Sequence, residues 1–122
     1  MGLTYAEIEL SNPREPERPA MRVAALADTG ANMLCVPKHV ALQLNLETTE
    51  HRRVKLADGR IASVPYIGPI QVRFEKRSCF VGAFLMGDEV VLGAVPMEDM
   101  DLVVSPQTRE VTYNPQPNRH RV

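Results

Sequence analysis

The sequence of 122 residues has little of what several classes of protein require. Its 14 Lys and Arg nearly balance 15 Asp and Glu, which disfavours a nucleic-acid or polyanion partner. Three Tyr and three Phe are too few for the stacking platforms of a nucleic-acid-binding barrel. No apolar run approaches the ~18 residues of a membrane span, and residues 1–10 lack the apolar segment of a signal peptide. We therefore expect one small cytoplasmic domain with neither nucleic-acid nor membrane partners.

Cysteine and histidine are equally sparse. Cys35 and Cys79 lie far apart in the sequence, so we expect two free buried thiols, although a disulfide between them stays open. The three histidines, His39, His51 and His120, are scattered, and none lies at ligand spacing from another His or Cys. The sequence therefore predicts neither a metal site nor a cofactor.

The rest of the chain is organised around residues 26–32, with the sequence L-A-D-T-G-A-N. The apolar run at residues 23–27 predicts a strand that ends in a turn, since Gly30 relieves the backbone there. Asp28 would then be held by neighbouring amides and by the Thr29 hydroxyl. An Asp before Thr-Gly is by default a turn residue that bonds its own backbone. The triplet alone therefore leaves a structural and a chemical interpretation open.

Alternating apolar and polar residues predict short strands along most of the chain. The expected strands cover residues 4–10, 21–27, 32–36, 70–75, 79–86, 90–93, 101–104 and 110–113. The strand at residues 21–27 is expected to be buried on both faces. Short helices are expected from Pro37 to about residue 45 and over residues 94–100. The architecture is one all-β domain over residues 1–113, followed by a disordered tail at residues 114–122.

The clearest local signal lies at residues 53–65. Alternating apolar residues lead up to Asp58-Gly59 and resume after it, a pattern that predicts a two-residue hairpin. The hairpin has two interpretations, an ordinary surface turn or a flap that closes over a bound peptide. Residues 66–69, with the sequence Y-I-G-P, are expected to break the run after the hairpin, so that a separate strand begins at Ile70.

Four features, in this order, resemble the retropepsin-like (retroviral-type, clan AA) aspartic proteases. They are D-T-G-A at residues 28–31, the hairpin at 58–59, the apolar-apolar-Gly element at 91–93, and a short helix followed by a final strand. The likeness is greatest to the small single-domain bacterial members, and it spans roughly Tyr5 to Tyr113, nearly the whole chain. It implies a retropepsin-like closed β-barrel with a flap hairpin and one or two short helices.

The chain departs from the family pattern at three places. Asn32 stands where retroviral members usually carry an acidic residue. Ala94 follows Gly93 where many retroviral members have Arg, so the salt bridge that this Arg makes at the dimer interface should be absent. The tail beyond residue 113 could hinder the interlocked termini through which retroviral members dimerise.

The resemblance implies hydrolysis of peptide bonds by carboxylates alone, which requires two of them. One takes a proton from water, and the other donates a hydrogen bond to the carbonyl oxygen. Two adjacent carboxyls share one proton. The chain has a single Asp-Thr-Gly, and 122 residues are too few for the two lobes of a pepsin-like enzyme. The expected enzyme is an aspartic endopeptidase in which the paired Asp28 carboxylates of a homodimer activate a water molecule.

The resemblance also assigns supporting roles around Asp28. Thr29 would lock the pair across the two-fold axis, and Gly30 would leave room for the backbone of a peptide or protein substrate. The expected substrate contacts are Ala31, Asn32, Ala57, Asp58, Gly59 and Arg60. For Asn32, a role in stabilising the turn is an open alternative. The candidate walls of the side-chain pockets are Val36, Leu56, Ile61 and Val91.

Two classes of function stay open. The intact Asp-Thr-Gly favours the homodimeric endopeptidase, because a scaffold has no need of that carboxylate. The altered dimer elements favour a retropepsin-fold binding or scaffold module without useful catalysis, or an enzyme that rests as a dormant monomer.

Overall fold

The computed structural model describes residues 2–115, which are folded mainly into β-strands. The elements are β1 (Tyr5–Ser11), β2 (Met21–Ala27), β3 (Leu34–Val36), α1 (Lys38–Gln43), β4 (Glu47–Lys55), β5 (Ile61–Phe74), β6 (Arg77–Leu85), β7 (Val91–Leu92), α2 (Ala94–Asp99), β8 (Leu102–Ser105) and β9 (Glu110–Tyr113). The predicted mostly-β architecture with two short helices is confirmed for this part of the chain.

Seven of the strands form one sheet in the order β1-β2-β7-β3-β6-β5-β4, and β1 makes an additional pairing with β5. β8 and β9 form a separate two-stranded sheet. The short β7 lies between β2 and β3, parallel to β2 and antiparallel to β3. This insertion brings together the end of β2, the start of β3 and the end of β7, three segments that are distant in sequence.

One cluster of apolar side chains forms the core, with contributions from most strands and both helices. Alternation selects its members, as predicted for β1: Ala6 and Ile8 are buried, whereas Tyr5 and Glu7 are exposed. Ile70 of β5 is also fully buried. Burial of each side chain of the size of Ile or Leu stabilises the fold by about 1.5–3 kcal/mol.

A buried polar side chain, Asn12, joins the loop after β1 to the end of α1. Its amide nitrogen donates to the carbonyl oxygens of Leu44 (3.0 Å) and Asn45 (3.2 Å), and its oxygen accepts from the N–H of Arg14 (2.9 Å). The last carbonyls of a helix have no partner inside the helix. Asn12 therefore satisfies groups that the six-residue α1 leaves open.

The prediction that residues 21–27 are buried on both faces is wrong. Only Ala25 of β2 is buried, and Arg22 and Ala24 are exposed. Alanines occupy both faces of this strand, so the sequence does not distinguish the covered face from the open one.

The predicted break at residues 66–69 is also wrong. β5 continues from Ile61 to Phe74, and its pairing with β6 shifts register between Ile67 and Ile70. A proline fits within a strand where a bulge removes the need for its missing N–H, which explains how Pro69 is accommodated.

The predicted tail lies largely outside the described residues. Only Asn114 and Pro115 are described, and Asn114 is bound to Asp101. Its N–H donates to the carbonyl of Asp101 and its side-chain amide to Oδ1, both at 3.0 Å. The prediction for residues 116–122 stays a prediction.

Candidate active site

Asp28 follows β2 directly and lies exposed at the surface of the chain. Its N–H donates to the carbonyl of Leu92 in β7 (3.0 Å), and its Oδ1 accepts from the N–H of Gly30 (2.9 Å). The N–H of Ala31 donates to the carbonyl of Asp28 (3.1 Å). These bonds fix the turn to β7, and within residues 2–115 no hydrogen bond reaches Oδ2 of Asp28.

The expected bond between the Thr29 hydroxyl and Asp28 is not formed in the described chain. Thr29 is exposed at the tip of the turn, and within residues 2–115 the main-chain N–H of Gly30 alone donates to the carboxylate. The Thr29 hydroxyl makes no hydrogen bond to any described residue, which leaves it available to a group outside this chain.

The start of α2 is joined to the loop that follows Asp28. The N–H of Ala94 donates to the carbonyl of Ala31, and the N–H of Val95 to the carbonyl of Asn32, both at 2.8 Å. These bonds satisfy two of the N–H groups that the start of a helix leaves open. A Cβ added at Gly93 would lie 2.3 Å from the carbonyl oxygen of Met33, so this close approach requires glycine.

A cavity of about 710 Å³ lies between this loop and the β4–β5 hairpin. Of the residues predicted to contact substrate, Ala31, Asn32 and Ala57 line the cavity, as does Gly30. Asp28 and Thr29 do not line it themselves but lie directly before Gly30 in the chain. The structure therefore brings the Asp-Thr-Gly turn and the hairpin to the same cavity.

Apolar side chains dominate the rest of the cavity wall. They include Met33 and Cys35 of the loop and strand after Asp28, and Phe84 and Met86 at the end of β6. Of the four candidate walls, only Leu56 lines this cavity. Val36 is buried in the core, Ile61 is exposed, and Val91 lies within β7 outside the lining. Met33 and Cys35 could have been found from alternation, because Leu34 and Val36 are the buried face of β3.

The tip of the hairpin is a three-residue connection rather than the predicted two-residue turn. The N–H of Leu56 donates to the carbonyl of Arg60 (2.8 Å), and the N–H of Gly59 to the carbonyl of Leu56 (2.9 Å). Gly59 has φ 90°, the left-handed conformation that such a connection requires at its last residue. The pairing of β4 with β5 therefore continues by one more residue pair, Leu56 and Arg60, beyond Lys55 and Ile61.

Asp58 and Arg60 are bound to one another at this tip. Oδ1 of Asp58 accepts from the N–H of Arg60 (3.0 Å), and Oδ2 from its Nε (2.6 Å). These bonds lower the pKa of Asp58. Asp58, Gly59 and Arg60 do not line the cavity, unlike Ala57, which is the predicted hairpin contact that does.

An aromatic stack that local sequence patterns do not reveal connects the hairpin to the cavity wall. Cζ of Arg52 lies 3.7 Å from the ring centroid of Tyr66, and Nε of Arg52 donates to Glu50 (2.7 Å). The Tyr66 ring packs edge-on against Phe84, with centroids 5.4 Å apart. A Cβ at Gly82 would lie 2.3 Å from this ring, so the ring can pack here only against a glycine. The stack joins β4 to a residue that lines the cavity.

Both cysteines are free thiols, as expected, but only Cys79 is buried as predicted. Burial raises the pKa of the half-buried Cys35, which lines the cavity, and raises the pKa of the buried Cys79 to about 12. A protonated thiol is a poor nucleophile, so these environments do not favour cysteine-based hydrolysis.

Among residues 2–115, no group of three or more His, Cys, Asp or Glu side chains is placed to hold a metal ion. The helices of this part of the chain are too short or too polar to cross a membrane.

Comparison with known proteins identifies the fold. No protein-family description matches the chain. No curated protein sequence matches it either. Solved structures do match: EIAV protease complexed with the inhibitor HBY-793 has a TM-score of 0.64 at 12% identity, over 80% of this chain and 88% of that one.

Two further structures extend this result. The retroviral protease-like domain of Ddi1 from Leishmania major has a TM-score of 0.61 at 12% identity, over 95% of this chain and 93% of that one. The protease of simian foamy virus (mac) has a TM-score of 0.52 at 17% identity, over 77% of this chain and 91% of that one. The chain therefore has a retropepsin-like fold.

Proposed function

We propose that the protein is an aspartic endopeptidase that works as a homodimer, in which Asp28 of each protomer activates the attacking water. The observation that carries the proposal is the placement of Asp28 within a retropepsin-like fold. Asp28 is exposed, its Oδ1 accepts from the N–H of Gly30, and its own N–H donates to Leu92 of β7. The largely apolar cavity begins two residues later, at Gly30. A purely structural turn would not need an exposed carboxylate two residues before Gly30, which lines such a cavity.

The need for a second copy follows from the chemistry. Each chain brings one Asp-Thr-Gly, and two carboxyls are required. Asp28, Thr29 and Gly30 are all exposed, so a two-fold axis can bring two turns together. The Thr29 hydroxyl, which has no partner in residues 2–115, would bond across that axis. β8 pairs only with β9 in the described chain, so its other edge is open to the second protomer.

In this mechanism the two facing carboxyls share one proton. The ionised one takes a proton from water, while the protonated one donates a hydrogen bond to the carbonyl oxygen of the scissile bond. Gly30 leaves room for the substrate backbone beside Asp28, and Ala31 and Asn32 contact it next.

The substrate would lie extended in the cavity beneath the hairpin, which acts as the flap. Ala57 is best placed of the hairpin residues to contact the substrate, because it lines the cavity. Asp58 and Arg60 already neutralise one another, so we propose that they, with Gly59, contribute mainly through the main chain. The apolar walls suit apolar side chains on either side of the scissile bond.

The proposal also includes a closed barrel and a cytoplasmic location. The additional pairing of β1 with β5 supports a sheet that closes on itself as a β-barrel. The free thiols of Cys35 and Cys79 support a cytoplasmic location.

The first test compares Asp28→Asn with the wild type in a peptide-cleavage assay at about pH 5, a mildly acidic pH that suits a carboxyl pair. Asn cannot act as the base, so cleavage should be lost while the thermal unfolding curve is unchanged. Asp99→Asn is the matched control, because Asp99 is an exposed residue of α2 outside the cavity lining. Cleavage that persists in purified Asp28→Asn would refute the mechanism.

A second candidate is a retropepsin-fold binding module or a dormant monomer. One observation favours it: the last described strand is bound to its own chain. The Tyr113 hydroxyl donates to Glu75 (2.9 Å), and Cζ of Arg77 lies 4.3 Å from the Tyr113 ring centroid. Arg77 also donates to the carbonyls of Met100 (3.0 Å) and Asp101 (2.7 Å). Sedimentation over a wide concentration range distinguishes the candidates, because the enzyme requires a dimer wherever cleavage is observed.

A further inference from the structure

A second cavity, of about 580 Å³, lies between β1, the end of β5 and β9, and it shares no lining residue with the first. We call it the β1 groove. Its apolar lining includes Ile8, Phe74 and Val111, which are all buried. Its charged rim comprises Glu7, Glu9, Arg22, Arg73, Glu75 and Glu110. Nothing in the hydrolytic mechanism uses this groove.

The open side of β1 faces the groove. The N–H of Ala27 donates to the carbonyl of Thr4 (2.8 Å), which sets the phase of the β1–β2 ladder. In an antiparallel pair, residues alternate between facing their partner strand and facing away from it. The main-chain groups of Tyr5, Glu7 and Glu9 therefore face away from β2.

β5 covers only part of that side. Its pairing with β1 extends from Glu9 opposite Arg73 to Ser11 opposite Gln71. No described strand pairs with the same edge of β1 at Tyr5 and Glu7. Two sets of main-chain donors and acceptors, spaced two residues apart, are therefore left open, which is the spacing that an added strand matches.

Charge indicates what kind of peptide would fit. The rim carries four carboxylates against two guanidinium groups. Glu9 has Arg22 and Arg73 as its cross-strand neighbours on either side. Glu7 and Glu110 make no ion pair within residues 2–115, and Glu7 lies where the edge of β1 is open. The open part of the groove is therefore acidic.

We propose that the β1 groove binds an extended peptide segment with alternating apolar and basic residues, which pairs with β1 as an added strand. Its main chain bonds to Tyr5 and Glu7, its apolar side chains contact Phe74 and Val111, and its basic side chains approach the acidic rim. This binding site is separate from Asp28 and does not depend on hydrolysis.

The test uses the full chain carrying Asp28→Asn, so that no probe is cleaved. The probe is the end-blocked pentapeptide Lys-Val-Arg-Val-Lys, with Glu-Val-Glu-Val-Glu as its charge control. A third peptide repeats the basic sequence with alternate amides N-methylated on the edge that would face β1. Affinity is measured by fluorescence anisotropy, and the site is mapped by amide chemical shifts and hydrogen exchange.

The basic peptide should bind saturably, shift and protect the amides of Tyr5 and Glu7, and bind more weakly as salt is added. The N-methylated peptide and the acidic peptide should each bind at least about tenfold more weakly. Glu7→Lys and Glu110→Lys should each weaken binding of the basic peptide about fivefold. Glu17→Lys, in the exposed loop after β1 and outside the groove lining, is the matched control and should leave affinity unchanged.

Four results would overturn the proposal. They are the absence of saturable binding, equal affinity for the N-methylated peptide, equal affinity for the acidic peptide, and shifts confined to Ala31 and Ala57 in the other cavity. A dimer whose β1 edge is already protected from exchange, and which the peptide dissociates, would assign the groove to a second copy instead. If Glu7→Lys fails to fold, Glu110→Lys still tests the charge of the rim, because Glu110 lies on β9 rather than on β1.

Discussion

Replacement of Gly93 by alanine adds one methyl group where the end of β7 packs against the loop after Asp28. It tests whether this close packing holds the candidate site together. A Cβ at this position would lie 2.3 Å from the carbonyl oxygen of Met33, and 2.7 and 2.8 Å from the carbonyl carbon and oxygen of Asn32. All three atoms belong to the main chain, so no rotamer change relieves the contact. The end of β7 and the loop after Asp28 would have to move apart.

The expected cost has two components. Overpacking of a tightly packed position costs about 1–3 kcal/mol. Separation of the segments also stretches the bonds from Ala94 to Ala31 and from Val95 to Asn32, each of which contributes about 1 kcal/mol. We expect Gly93→Ala to lower the free energy of unfolding by about 3–5 kcal/mol, a large part of the usual 5–15 kcal/mol. For a domain of this size, the midpoint of thermal unfolding should fall by about 10 °C or more.

Urea denaturation and thermal scans measure this effect, with Gly82→Ala as the matched control. A Cβ at Gly82 would lie equally close, at 2.3 Å, but to the far end of the Tyr66 side chain. That ring can turn away, so Gly82→Ala should cost clearly less. Equal losses of stability in the two variants, or no loss in Gly93→Ala, would refute the argument that main-chain contact at Gly93 holds the site together.

Three further outcomes follow from the structure. Asn12→Ala removes the donor to the end of α1 and should lower the free energy of unfolding by about 2 kcal/mol in urea denaturation. Arg52→Met removes the cation above Tyr66; we expect faster amide exchange in β4 and a rise in KM larger than the fall in kcat, with little change in thermal stability. Burial raises the pKa of Cys79 from 9.0 to about 12, so the stability that its protonated thiol contributes is complete below pH 9 and is lost as the pH rises towards 12. Cys79→Ala should therefore show a smaller loss of stability than the wild type between about pH 8 and pH 10.

Local patterns predicted the elements that follow from local chemistry. Alternation in β1 placed Ile8 inside and Glu7 outside, and the run before Asp28 ended in the expected turn. The hairpin also lies where Asp58-Gly59 indicated, although its connection has one more residue than predicted. These features depend on neighbours in the sequence, so the sequence carries their signal.

Features that depend on distant segments were missed. The insertion of β7 between β2 and β3 decides which residues line the cavity, and no periodicity encodes that pairing. The candidate wall Val91 accordingly lies within β7 and outside the cavity lining. The Tyr66 ring of β5 packs over Gly82 of β6, where a Cβ would clash with it. No local sequence pattern predicts this contact between two strands.

The central claim is that two Asp28 carboxyls from two chains make one active site, and a mixing experiment tests it most directly. A fixed amount of wild type is mixed with Asp28→Asn and allowed to exchange subunits before peptide cleavage is measured. With random pairing at equal amounts, about one quarter of the dimers carry two Asp28 carboxyls, so activity per wild-type chain should fall by about half. Excess Asp28→Asn should take it towards zero. In the control mixture the added Asp99→Asn chains keep their own Asp28, so activity per total chain should stay unchanged. Activity per wild-type chain that stays constant at every ratio, although mixed dimers are shown to form, would mean that each chain carries a complete site, and the shared-site account would be wrong.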